Sequence, residues 1–261
     1  MGRSVVQRPG LAVGGAVLVG LGVVIALGTF DSEHAERTST FADVDRIELA
    51  TGSGDVTVRV GDVDRVTVVE KLSYRWSEPS ETHTVDDSVL RLERCDAWWC
   101  EVDHEVIVPR GLAVSGELGS GSLSANGVSS VDVEAGSGDV RLAEITGDVR
   151  LDVGSGSAEF HDVDGAVVAE AGSGTLTGRE LRGSVEAEVG SGAIDLQLAE
   201  PGDVTASVGS GDLRVAVPRG DYRVEGDTGS GERRLGVGSD PEAPNVLLLD
   251  SNSGDVTLVR N

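Results

Sequence analysis

Between residues 136 and 153 apolar side chains fall at Val140, Leu142, Ile145, Val149, Leu151 and Val153, with Arg141, Arg150 and Asp152 between them. Alternation with a period of two predicts half-buried strands, one face turned to a core and the other to water. The frame returns at Val167, Ala169 and Ala171, at Val185, Ala187 and Val189, and at Val204, Ala206 and Val208. Between the runs stands the tripeptide Gly-Ser-Gly, beginning at 119, 136, 154, 172, 190, 209 and 229, at intervals of 17 to 20 residues. Self-similarity at so short a period is the mark of stacked coils, each made of two strands and two corners. The predicted fold is all-β, a β-solenoid of ~18-residue coils. Parallel crossover connections are nearly always right-handed, which makes a right-handed parallel β-helix the expected form. Helix is excluded by the missing 3.6 period and by glycines that would each cost about 1 kcal/mol against alanine. A thin interior favours Val, Ala, Ile and Leu, consistent with an aromatic content of 3%.

Ahead of the repeats the pattern changes twice. Residues 11–30, LAVGGAVLVGLGVVIALGTF, carry no charge, and twenty such residues suffice to cross a bilayer core of ~30 Å as a helix. Arg3 and Arg8 precede this run while Asp31, Glu33 and Glu36 follow it, which places the N-terminus in the cytoplasm and the remainder outside. An uncleaved signal-anchor is the expectation, because the apolar run exceeds that of an ordinary signal peptide; Ala26 and Gly28 keep cleavage open as the alternative. The division expected is a cytoplasmic tail at 1–10, a transmembrane signal-anchor at 11–30 and a polar linker at 31–42. An irregular β section follows at 43–118 and a regular solenoid at 119–261. Within the irregular section Val56, Val58 and Val60, then Val66 and Val68, then 82–94 and 102–108 read as strands around an outlying Gly-Ser-Gly-Asp at 52–55.

A net charge of -24, with Lys71 the single lysine, opposes nucleic-acid binding, since phosphates would be repelled. An acidic solvated face is the ordinary meaning of such a balance, and cation binding is the sharper one. The Gly-Ser-Gly-Asp copies invite comparison with calcium-binding glycine-rich nonapeptides. In successive coils, however, the residue after the tripeptide is Asp139, Ser157, Thr175, Ala193, Asp212 and Glu232. Ala193 has no oxygen ligand to give, so a calcium ladder is disfavoured and no metal or cofactor is expected.

Cys95 and Cys100, the only cysteines, bracket the loop CDAWWC. In an exported segment this spacing suits a disulfide closing a small loop. It is not a C-x-x-C redox motif, and with no paired histidine a zinc site is equally poor. Trp98 and Trp99 at the loop's tip could contact a sugar, a lipid headgroup or a protein, or one of them could cap the core. His34, His83, His104 and His161 are scattered, and no serine elbow or P-loop accompanies them. Corners of three residues leave no long loop to build a polysaccharide-active cleft of the kind large β-helix enzymes carry.

The opening strand from Phe41 to Leu49 followed by SGDVTV, the passage EVIVPRGLAVSGELGSGSL at 105–123, and the repeated GSGD units behind an N-terminal membrane segment resemble the putative-adhesin family of bacterial surface proteins. The similarity spans roughly residues 40–260 and excludes the CDAWWC loop. That family has no established biochemical function and carries over no catalytic residue. With the membrane segment, the expectation is a single-pass cell-membrane protein with a non-catalytic adhesin-like or interaction domain outside, a protein or glycan surface being a candidate partner. The alternative from another class is an envelope-stress or scaffold component working through a membrane partner, and a polysaccharide-active enzyme ranks below both.

Overall fold

The computed structural model describes residues 20–22 and 32–261. All elements in this part are strands, joined through one curled sheet. Its strands lie in two faces over a main apolar core that runs from Val44 to Leu258. Each regular coil crosses both faces, and its inward frame is buried as the alternation requires: Val149, Leu151 and Val153 are at most 1% exposed, while Arg150 and Asp152 face water. Neighbouring coils pair in parallel and in register, Val149 with Val167 and then Val167 with Val185.

The Gly-Ser-Gly corner bends the chain without ending the strand. Val149–Val163 is one strand of 15 residues, because the ladder continues through the corner, Ser155 opposite Ser173 and Gly156 opposite Gly174. The second glycine is required twice over. At Gly174 φ is +139°, and a Cβ there would lie 1.6 Å from the carbonyl oxygen of Gly156 in the coil below. The outlying Gly52-Ser53-Gly54 stands in the same column, as does Asn252-Ser253-Gly254, which has asparagine in the first place.

The order of coils in space departs from their order in the chain at both ends. Coil 46–60 lies between coils 89–108 and 113–126. Coil 245–260 is likewise inserted between 204–217 and 222–235. The 43–118 section is therefore not an irregular prelude but two coils of the same stack, in exchanged order, the strands that cover them and the start of the next coil. The 119–261 section is not a simple succession either. Ten coils stacked ~4.8 Å apart make a rod on the order of 45 Å long.

Three further expectations are corrected. Residues 31–42 are no linker: Glu33–Phe41 is a strand antiparallel to Val66–Tyr74, and its polar sequence suits a sheet margin where only Ser39 is buried. The strand expected over 82–94 is a hairpin, His83–Asp86 against Val89–Glu93, turning at Asp87 and Ser88, whose φ values of 45° and 64° are those of a type I′ turn. The interior also accepts an aromatic ring. Phe160 is 1% exposed, and the residue in register on the next coil is Gly178, whose missing side chain leaves room for Leu181 and Leu196.

Gly20–Gly22 is described as a short strand antiparallel to Glu36–Thr38. The rest of the predicted span at 11–30 lies outside the described residues, and no helix among the described residues is long and apolar enough to cross a membrane.

Candidate functional site

At the outermost coil, 89–108, two loops project from the end of the stack. The first leaves Val89–Glu93 and returns through Glu101–Val108, and in it Cys95 and Cys100 are bonded with their Cα atoms 5.9 Å apart. Both cysteines, with Ala35, pack on a small second cluster made by Leu72, Tyr74 and Val102. The alternation of Val66–Tyr74 continues past the main core and supplies this floor. Burial of the Tyr74 ring, followed by the charges of Glu78 and Glu33, pushes its phenol upward from the usual value.

The second loop, 75–82, leaves directly from Tyr74. Arg37 holds its middle, donating from Nε and Nη2 to Glu78 Oε1 at 3.2 and 2.6 Å and from Nη2 to the Pro79 carbonyl at 2.6 Å. At its end Thr82 donates its amide to Glu70 Oε1 at 2.9 Å.

Between them these loops present all three tryptophans of the chain to solvent. Trp76, Trp98 and Trp99 are 78%, 83% and 64% exposed. The guanidinium carbon of Arg75 stands 5.8 Å from the centroid of the Trp99 ring, within cation–π range, and so links the two loops. Trp98 and Trp99 are thus where the sequence put them, at a loop tip, and neither caps the core. Trp76 was not anticipated. Its one sequence signal was a large aromatic placed next to Arg75, after the alternation of Val66–Tyr74 ends.

Beneath the second loop lies a buried polar group that the scattered histidines did not suggest. Glu70 is 1% exposed and His104 1%, with Thr82 and His83 beside them. Glu70 Oε1 takes the Thr82 amide, the Thr82 hydroxyl and the Nδ1–H of His83, the last at 3.0 Å. Thr82 Oγ1 also lies 3.1 Å from His104 Nε2, and Phe41 meets the His83 ring edge-on at 5.2 Å between centroids. Burial alone would raise the Glu70 carboxyl, but the hydrogen bonds from His83 and Thr82 prevail and hold it at about 2. Burial pushes His104 below the ordinary histidine value. Depth and the Phe41 cover suit a cap on the open core rather than a place for substrate.

Along the column of corners the aspartates bind backbone. Asp55 Oδ1 accepts the amide and hydroxyl of Ser122 at 2.9 and 2.7 Å. Asp212 takes the Asp255 amide at 3.0 Å, and Asp255 takes that of Glu232 at 2.9 Å. Each carboxylate thereby ties one coil to the next, and the Ser122 hydroxyl holds the Asp55 carboxyl below its usual range. Among the described residues no group of three or more His, Cys, Asp or Glu side chains is placed to hold a metal ion. An open groove of about 780 Å³ runs over the side-chain-free column Gly52, Gly119, Gly136 and Gly154, walled by Glu117, Glu134 and Asp152.

Comparison with known proteins gives a family match and distant structural likenesses. The family described as Toastrack DUF4097 matches residues 38–259. A putative adhesin from Bacteroides fragilis is similar in structure at 13% identity, with a TM-score of 0.49 over 88% of this chain and 97% of that one. A putative lipid binding protein from Parabacteroides distasonis is similar at 15% identity and a TM-score of 0.46, over 90% of this chain and 98% of that one. A putative adhesin from Parabacteroides merdae is similar at 11% identity and a TM-score of 0.41, again over 90% and 98%. No curated protein matches the sequence.

Proposed function

The chain belongs to the Toastrack DUF4097 family, and from that premise we propose that it is a non-catalytic, membrane-anchored, adhesin-like interaction protein whose contact surface is the tryptophan tip. The carrying observation is the exposure of Trp76, Trp98 and Trp99 together on two loops, one closed by a disulfide and the other held by Arg37. Large rigid aromatic rings in water are costly to leave uncovered and lose little conformational entropy when they bind, which is why they dominate contact surfaces. Right-handed winding of the coils belongs to the same reading.

Anchoring is supported by the twenty uncharged residues of 11–30 and by Arg3 and Arg8 on one side with Asp31, Glu33 and Glu36 on the other. A membrane span through 11–30 and the edge strand at Gly20–Gly22 exclude one another. In the anchored protein those three residues leave the sheet margin for the bilayer. That margin loses little, since the strand adds only three pairs to Glu36–Thr38.

The test is protection of the tryptophans. Indole oxidation is measured on the full chain in membranes isolated from the producing cells and again after solubilisation and purification in detergent. Protection in the membranes that is lost on purification is expected. Equal oxidation in both states would remove the contact role.

A further inference from the structure

The end of the rod that carries the tryptophans is also the end at which the apolar segment joins it. Glu33 pairs with Tyr74, and His34 and Glu101 both pair with Ser73 from opposite sides. Arg75 and Trp76 follow Tyr74 directly, and Cys100 precedes Glu101. Three strand ends therefore meet at one place: the entry of the chain, the root of the 75–82 loop and the root of the disulfide loop. Residues 11–30 end three positions before Glu33. Two intervening residues, 31 and 32, reach no more than about 10 Å when extended.

From this juxtaposition we infer that the occupant of the tryptophan tip is the lipid interface of the membrane that holds the chain, so that the rod stands end-on with Trp76, Trp98 and Trp99 seated among the headgroups. The inference rests on the contact reading above and names its partner. Tryptophan partitions to the headgroup level because its ring is apolar and its N–H needs a polar partner, and arginine reaches the same level with an apolar stem and a charged head. Arg75 beside Trp99 supplies that pair.

The surrounding charge decides the kind of lipid. In or next to these loops Glu33, Glu78, Glu81, Glu93, Asp96 and Glu101 outnumber Arg37, Arg75 and Arg94, and the chain carries a net charge of -24. An anionic surface would be repelled, so a zwitterionic headgroup such as phosphatidylcholine fits, and seating should depend little on salt. A protein or glycan partner reaching the tip would have to enter between the rod and the membrane.

Because the chain has no tryptophan elsewhere, its indole fluorescence reports the tip alone. The full chain is reconstituted into phosphatidylcholine vesicles containing lipids brominated near the headgroup end, or near the terminal end, of the acyl chain. Emission shifted to shorter wavelength than that of the same chain unfolded in denaturant, and quenched more by the shallow bromines than by the deep ones, is expected. The same quenching should persist for Trp76 alone in the Trp98→Ser, Trp99→Ser variant. Unquenched emission from chain that floats with the vesicles would overturn the inference, as would chain that does not float with them. If the tip is nevertheless protected in native membranes, the contact reading stands with a protein or glycan as its partner. If it is oxidised equally in native membranes and detergent, the contact reading itself falls.

Discussion

Glu70 Oε1 and His83 Nδ1 lie 3.0 Å apart at the capped end of the core, both side chains nearly sealed from water. An ionised carboxylate can only accept, so the ring nitrogen facing it carries the proton. With the amide and hydroxyl of Thr82 added, the one oxygen takes three donors. This concentration of donors keeps a buried carboxylate charged where burial alone would neutralise it.

The first prediction follows from that relationship. The Glu70 pKa is held at about 2 against an ordinary 4.5. A carboxyl whose folded value is depressed contributes stability above its unfolded pKa and loses it as pH falls through the folded one. Unfolding free energy should therefore drop by about 3 kcal/mol between pH ~4.5 and ~2 on account of this group. His104, also depressed, adds a loss that begins as pH falls below its ordinary 6.5, because the unfolded chain takes up the proton first. Urea unfolding over a pH series reads both, and Glu70→Gln should flatten the limb below 4.5 while the one that starts near 6.5 persists and deepens, since the Glu70 charge favours protonated His104. An unchanged acid limb in that variant would show that Glu70 does not titrate as described.

Much of this cap was present in the sequence as an exception to its own rule. Glu70 falls on the inward frame of Val66, Val68 and Leu72, and His104 on that of Val102, Val106 and Val108. A polar residue in an apolar frame is a request for partners, but the frame does not say which partners, and Thr82 and His83 come from the end of the 75–82 loop and the strand after it. The regular coils were legible because each corner glycine and each inward residue repeats at nearly constant spacing. The exchanged coils were not, because a parallel edge accepts any strand of suitable frame, and nothing local tells Ile47 to lie between Leu90 and Val114. Glu33–Phe41 escaped notice because backbone pairing holds it, with little apolar alternation to betray it.

The corner column predicts a sharp contrast between adjacent residues. Gly174→Ala puts a methyl 1.6 Å from the Gly156 carbonyl oxygen at a φ of +139° that alanine rarely adopts. Clash and backbone strain together should cost more than ~4 kcal/mol, enough to prevent recovery of folded protein. Ser173→Ala, on the exposed side chain between the two glycines, should stay within about 0.5 kcal/mol. Recovery of folded protein, followed by thermal unfolding of whatever is recovered, checks the contrast, and equal recovery with similar melting temperatures would mean that the stacked glycines can move apart.

The two faces of the strand give a second contrast. Leu151 is 1% exposed, and Leu151→Asp buries a carboxylate with no partner, for a loss of several kcal/mol, about 4 or more. Arg150→Asp stays in water, facing Asp132 in register and beside Glu134, Asp152 and Glu170, so its cost is screened like-charge repulsion, about 1 kcal/mol. Equal losses in denaturant titrations would reverse the assignment of faces.

The last prediction concerns the bond between Cys95 and Cys100. They are five positions apart, so the closed loop is short and its chain-entropy contribution is about 2 kcal/mol in the loop-closure model. The main core does not include the loop, whose cysteines rest on Leu72, Tyr74 and Val102. Reduction should therefore leave the strand circular dichroism signal intact and lower the melting temperature modestly. What should change is the tip: freed of its closure, the loop gives up the arrangement in which Arg75 stands over Trp99, and the tryptophan emission alters. Mass spectrometry of freshly prepared, unreduced chain decides whether the bond forms. Two thiols that alkylate without reductant would mean that Trp98 and Trp99 sit on an untethered turn, and the rigidity attributed to the tip would then have to come from Arg37 and the 75–82 loop alone.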